Sequence, residues 1–159
     1  MINLPPTVKL LTFEDPGKIK RLWENLKPYA QRYGDSTFQN PEIFTKRLMA
    51  KDAIIGEIDG GLILLEHIIP NLKAEIHLAF WDHKLSPHRD TLMDCLIWAF
   101  FTYNLERLET FIESHAKAVR RFIEKKMGFK HEGTMYNRVR RNNELINVEI
   151  FAILKNEVL

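Results

Sequence analysis

The sequence predicts an α/β (α+β) protein with a mixed, mostly antiparallel central sheet of about seven strands and helices on both faces. Three observations carry that expectation. The hydrophobic period switches repeatedly between two and 3.6, residues 53–81 read as three consecutive strands, and the second half alternates helix with strand. The 159 residues are long enough for one sizeable core, so a single domain over 1–159 is expected.

The elements follow in order. "TVKLLTF" (7–13) alternates as a strand does, and "DPGKIKRLWENL" then sets Ile19, Leu22, Trp23 and Leu26 at helical spacing. "PEIFTKRLMA" reads as a second helix, with Pro41 in its first turn and Asn40 as cap. "AIIGEI" and "LILLEHII" form a hairpin about Asp59-Gly60-Gly61, and "AEIHLAFW" (Ala74 to Trp81) continues the meander after a turn at Pro70-Asn71. "SPHRDTLMDCLIWAFF" is apolar nearly all round, so it predicts a well-buried helix with Ser86 as N-cap and Pro87 at the first helical position. "RLETFIES" is a strand. "AKAVRRFIEKKM" is a helix with Val119, Phe122, Ile123 and Met127 on one face, stopped by Gly128. "FKHEGTMYN" and "LINVEIFAIL" close the sheet around the polar turn "RRNNE".

Composition narrows the function classes. The formal charge is only +2, yet 117–141 holds nine basic residues against Glu124 and Glu132, leaving the remainder acidic. The lone Cys95 excludes an intramolecular disulfide and a cysteine metal site, and fits a reducing compartment. No apolar run approaches the ~20 residues that a bilayer needs, so the expectation is a soluble, cytoplasmic protein without a membrane partner. The histidines lack a metal-ligand spacing, and no metal is expected.

Two places in the sequence could carry chemistry. "DHKLSPHRD" sets His83, Lys84, His88 and Arg89 around a helix start, where free N–H groups and the helix dipole favour an anion; a plain Ser-Pro cap with solvated charges is the alternative. On "AEIHLAFW", alternation puts Glu75, His77, Ala79 and Trp81 on one face. Glu66 and His67 on the preceding strand either extend that polar face or are solvated at an edge. Glu109 and Glu113 share one face of their strand, where they could attract a basic acceptor. Trp98, Phe100, Phe101 and Tyr103 read as core.

The segment "HAKAVRRFIEKKMGFKHEGTM", followed by "INVEIFAIL", resembles the C-terminal half of the GNAT superfamily of N-acetyltransferases, in the branch with a GF-x-x-EG closing strand. "AEIHLAFW", a loop and "LMDCLIWAFFTYNLERLETFI" are similar to that branch's pyrophosphate-binding strand, loop and helix. The resemblance spans about residues 50 to 155 and implies acetyl-CoA as donor and an amine as acceptor. It further implies that the pantetheine arm pairs with the strand at Leu78, Ala79, Phe80 and Trp81, and that the pyrophosphate lies on the turn at Lys84, Ser86, His88, Arg89 and Asp90. Lys117, Arg120 and Arg121 on the last helix would face phosphate.

Three departures accompany it. The family's two loop glycines are absent, and Pro87 removes an amide donor. Lys117 stands where an asparagine usually opens the last helix, and Glu124 stands where many members carry a tyrosine general acid; Tyr136 and Tyr103 are spare candidates for that acid. Acetyl transfer needs an unprotonated amine, and an amine of pKa ~10.4 is charged at neutral pH, so a base is useful. Glu75 is the first choice and His77 the second. Two functions remain open: an acetyl-CoA-dependent N-acetyltransferase that moves the acetyl group directly to a primary amine, or an inactive protein of the same fold whose basic segment binds a nucleic acid or another polyanion. A homodimer through the last strand is also open.

Overall fold

The computed structural model of the protein describes residues 2–11, 16–33, 40–50, 52–81 and 84–158; within the first helix, side chains are described for 17–28. The order is β1 (Lys9–Leu10), α1 (Pro16–Tyr33), α2 (Pro41–Leu48), β2 (Ile54–Ile58), β3 (Gly61–Ile69), β4 (Lys73–Phe80), α3 (Arg89–Thr102), β5 (Arg107–Glu113), α4 (Lys117–Lys126), β6 (Lys130–Arg141), β7 (Glu144–Leu154) and a last turn α5 (Lys155–Val158). One seven-stranded sheet runs β1-β2-β3-β4-β5-β7-β6. Its pairings are antiparallel except β4 with β5, which is parallel.

Local signals explain the element ends. Asn40 Oδ1 accepts from the Glu42 and Ile43 amides at 2.8 and 3.3 Å, which satisfies two first-turn donors of α2. Asp59-Gly60 turns β2 into β3 with Gly60 at φ 76°. Asn142 and Asn143, at φ 45° and 66°, make the β6–β7 hairpin, where both central residues sit in the left-handed region that asparagine tolerates. Gly128 leaves α4 at φ 81°, and a Cβ there would meet nothing closer than Ile153 Cδ1 at 3.7 Å. Backbone conformation, not space, requires the glycine. Gly128→Ala should therefore cost about 1–2 kcal/mol, read as a lower urea midpoint with an unchanged m-value; an unaltered midpoint would remove this account of the helix stop.

One expected cap is different. Ser86 opens a 3-10 turn (Ser86–His88) instead of capping an α-helix, and His88, the residue before α3, makes no side-chain cap. The reason lies in the tight bond from the His88 amide to the Leu85 carbonyl, 3.0 Å, closed around Pro87, which donates nothing. β1 is shorter than "TVKLLTF", whose last two residues lie outside the described residues. β6 runs beyond "FKHEGTMYN" to Arg141, with a register shift between Met135 and Val139.

The sheet separates two cores. On one face α3 and α4 bring Leu92, Leu96, Phe100, Phe122 and Ile123 against Ile76, Phe80, Ile112 and Phe151. On the other, Leu22 and Leu26 of α1 and Phe44 and Leu48 of α2 cover Ile55, Leu62, Leu64 and Ala79. Cys95 is in the first core, and burial pushes its thiol up to about 12. Among the described residues, no helix is long and apolar enough to cross a membrane, and no group of three His, Cys, Asp or Glu side chains could hold a metal ion.

Candidate active site

The parallel pair at the sheet's centre builds the site. β4 and β5 pair only at Lys73↔Arg107, Ala74↔Leu108 and Glu75↔Glu109. At that closed end the buried Glu109 carboxylate accepts from Lys73 Nζ and, at 3.0 Å, from Arg107 Nε; Arg107 also binds Glu132. Beyond it, β4 continues to Phe80 and β5 to Glu113 with no further pairing between them. Main-chain groups on the β5-facing edge of β4 are thereby left without a strand, and such groups need other partners.

The opening forms a cleft of about 850 Å³. Glu75, His77, Leu78 and Ala79 line it from β4, and Thr110, Phe111, Ile112 and Glu113 line it from β5. Ala116, Val119 and Ile123 give an apolar wall from α4, while Arg47, Asp52, Glu66 and His67 supply charge from the opposite face of the sheet. A slot through the sheet thus joins an apolar side to a charged one.

A chain of polar side chains spans the charged side. Arg47, from the last turn of α2, grips Glu66 in two-pronged fashion, with Nε to Oε1 at 2.8 Å and Nη2 to Oε2 at 2.7 Å. Glu66 is buried at 6 % exposure, so this pairing neutralises a charge that the apolar strand "LILLEHII" could not otherwise hold. His77 Nε2 stands 3.3 Å from Glu66 Oε2 and 3.6 Å from Glu75 Oε2. His67 Nδ1 meets Glu75 Oε2 at 3.0 Å. Contacts with the His77 and then the His67 ring hold the Glu75 carboxyl below its usual range, and the Glu75 contact raises His67 above 6.5. Glu75 is therefore a firmly ionised carboxylate and, for the same reason, a weak proton acceptor. On the β6 side, Arg141 Nε and Nη2 reach Glu113 Oε1 at 3.0 and 2.5 Å.

The residues singled out in the sequence divide into three groups. Glu75, His77, Leu78 and Ala79 line the cleft, whereas Phe80 is fully buried and Trp81 packs on the α1–α2 core. Around the turn before α3, the His88 ring stacks on Phe80 with centroids 4.7 Å apart. Arg89 donates to the Lys126 carbonyl at 3.0 Å and to Asp90 at 2.6 Å, tying the start of α3 to the end of α4. Side-chain contacts thus hold this loop where glycines would otherwise shape it; His83 lies outside the described residues. On α4, Lys117 and Arg121 are exposed, and Arg120 turns inward to the Ser114 carbonyl at 2.9 Å. Glu124 is exposed beside Lys125, Tyr136 is exposed, and Tyr103 packs edge-on against Trp98. None of these three lines the cleft.

Sequence reasoning did not find Arg47, Asp52, Arg138 or Arg141 at the cleft. Only Glu66 left a signal, since a carboxylate inside an apolar strand demands a partner.

No protein-family model matches the chain, and no curated protein sequence matches it. Solved structures do. A spermidine N-acetyltransferase from Vibrio cholerae in complex with CoA and spermine has 16% identity and a TM-score of 0.74 over 97% of this chain and 99% of that one. A ribosomal-protein-S5-alanine acetyltransferase from Vibrio fischeri has 14% identity and a TM-score of 0.74 over 96% and 94%. A GNAT-family acetyltransferase from Bacillus anthracis has 19% identity and a TM-score of 0.67 over 98% and 99%. The likeness runs along nearly the whole chain: this protein has the fold of the GNAT acetyltransferases.

Proposed function

We propose that the protein is an acetyl-CoA-dependent N-acetyltransferase that moves an acetyl group directly to a primary amine. The observation that carries this reading is the cleft between the splayed ends of β4 and β5, open to both faces of the sheet, with a histidine between two carboxylates on one side. The fold neighbours add weight, since those above are named as acetyltransferases and one is a complex with CoA.

The residues present fit the donor on a structural ground. An amide-rich pantetheine arm needs a bare strand edge, and β4 offers one beyond Glu75. Leu78 and Ala79 on that edge, with Ala116, Val119 and Ile123 of α4, would hold the arm. Lys84, the uncapped start of α3 and the exposed Lys117 and Arg121 would meet its phosphates. When bound, acetyl-CoA supplies the activated acyl group.

On the charged side, an ammonium is drawn to Glu75 and gives its proton to His77. Glu66, fixed by Arg47, orients the imidazole, and both carboxylates face the positive charge that His77 gains. The proton-accepting role thus moves from Glu75, the first choice from sequence, to His77, because the pairing that keeps Glu75 ionised also weakens it as a base. Direct transfer is favoured over an acyl-enzyme: Cys95 is in the core, and the Ser114 hydroxyl donates to Glu149 at 2.6 Å. The polyanion-binding alternative is disfavoured by pairing within the basic segment, where Arg141 engages Glu113, Lys130 engages Glu157 and Arg120 engages Ser114.

The test combines binding with turnover: acetyl-CoA should raise Tm, and CoA thiol should appear when primary amines are added. Without a Tm shift the donor site is lost; with a shift but no thiol release across small amines, polyamines and peptide N-termini, the transferase reading fails.

A further inference from the structure

We infer that His67 is the exit of a proton relay, His77 to Glu75 to His67 to solvent, that empties the cleft after each turnover. The inference rests on the transferase reading above.

Acetylation of an ammonium makes the need explicit. The C–N bond forms and the thioester C–S bond breaks, the nitrogen gives up two protons, and the departing thiolate takes one back. One proton per turnover must therefore leave the site. His77 is only 21 % exposed, and donor and acceptor together would fill the cleft that it lines. His67, across Glu75 from it, is 66 % exposed.

The backbone is shaped to make this contact. β3 shifts register between Glu66 and Ile69, and His67 sits in that bulge at φ 49°, a left-handed conformation uncommon for a non-glycine residue. Bulges re-aim side chains, and this one delivers Nδ1 to within 3.0 Å of Glu75 Oε2. Once charged, the His77 ring is drawn to Glu75 and closes the 3.6 Å gap from Nε2 to Oε2; Glu75, a weak acceptor, holds the proton only in passing to His67 Nδ1, 3.0 Å from the same oxygen. His67 releases its Nε2 proton to water and regains the Nε2–H tautomer by exchange with solvent, to which it is open, so both the chain's net charge and its accepting Nδ1 are restored. The charged groups facing His67 are Glu75 from β4, Glu66 from its own strand and Asp52 before β2; those facing His77 are Glu66, clamped by Arg47, and Glu75. All three carboxylates raise His67, which suits a carrier working near neutral pH.

His67→Asn tests the relay, since asparagine tolerates the left-handed backbone and keeps a donor for Glu75 but cannot carry a proton. In weak buffer its kcat should fall on the order of tenfold, less than for a group that touches the amine, with KM unchanged. Added imidazole buffer should restore kcat. NMR titration of His67 in the wild type should give a midpoint above 6.5 that drops in Glu75→Gln, whether or not an acceptor is known. An unaffected kcat in weak buffer, or a loss that imidazole does not repair, overturns the relay alone. Silence of the wild type towards every amine overturns the transferase reading and the relay with it, even where the titration finds the His67–Glu75 contact intact.

Discussion

Replacing His77 by glutamine should lower kcat by about 10²–10⁴-fold and leave the acetyl-CoA-induced rise in Tm intact. Glutamine keeps a donor for Glu66, so the buried Arg47–Glu66 pair stays satisfied and the fold is spared. What disappears is a group that can take the ammonium proton while two carboxylates face the charge it acquires. Glu75→Gln should cost less, because it removes an attracting charge and a relay step but leaves the base. Steady-state kinetics on the two variants decide the order. If Glu75→Gln proves the more damaging, with His77→Gln near wild type, the roles are exchanged.

The second large effect lies away from the cleft. Glu149→Ala should lose about 3–5 kcal/mol of stability, the cost of removing one partner from a buried charge cluster. Glu149, 7 % exposed on β7, accepts from Ser114 Oγ at 2.6 Å and Thr134 Oγ1 at 2.7 Å, and its Oε2 lies 2.6 Å from His131 Nε2. The Arg120 charge faces it too, and Arg120 Nε is buried with no hydrogen-bond partner among the described residues. Ser114 and Arg120 form the corner between β5 and α4, so the cluster fixes the cleft's α4 wall to the sheet. The Ser114 bond, followed by those from Thr134 and His131, lowers the Glu149 carboxyl from 4.5 to about 2. A carboxyl depressed on folding stabilises fully above its unfolded value and less as pH falls through the folded one. The contribution should therefore be whole above about pH 4.5 and fade towards pH 2. Urea titrations at pH 7 and 3 should show the variant's deficit shrinking at the lower pH. A deficit equal at both would mean that packing, not the charge, accounts for the loss.

Much of this architecture was legible in the chain, for local reasons. Alternation on "AEIHLAFW" put Glu75 and His77 on one face, where they line the cleft, and Asn40, Gly60 and Gly128 marked ends that follow from single-residue conformations. The site was less legible because its decisive features are non-local. Parallel pairing that stops after Glu75 depends on how β5 docks beside β4, which no window of sequence contains. Arg47 reaches Glu66 from another element, and an arginine in the last turn of a short helix reads as surface. His67 points at Glu75 only because β3 bulges, and a histidine amid apolar residues gives no warning of that. At Ser86-Pro87, a local reading gave a capped helix where the chain winds a 3-10 turn and holds the loop through His88 on Phe80 and Arg89 on Lys126.

The binding arm of the acetyl-CoA test reaches the central claim most directly, because everything proposed requires a donor in the β4/β5 cleft. At a hundredfold excess over Kd, acetyl-CoA should add about 2.7 kcal/mol, which moves Tm by about 5–10 °C for a domain of this size. His77→Gln should show the same rise. An unchanged Tm at millimolar acetyl-CoA would contradict the account at its root.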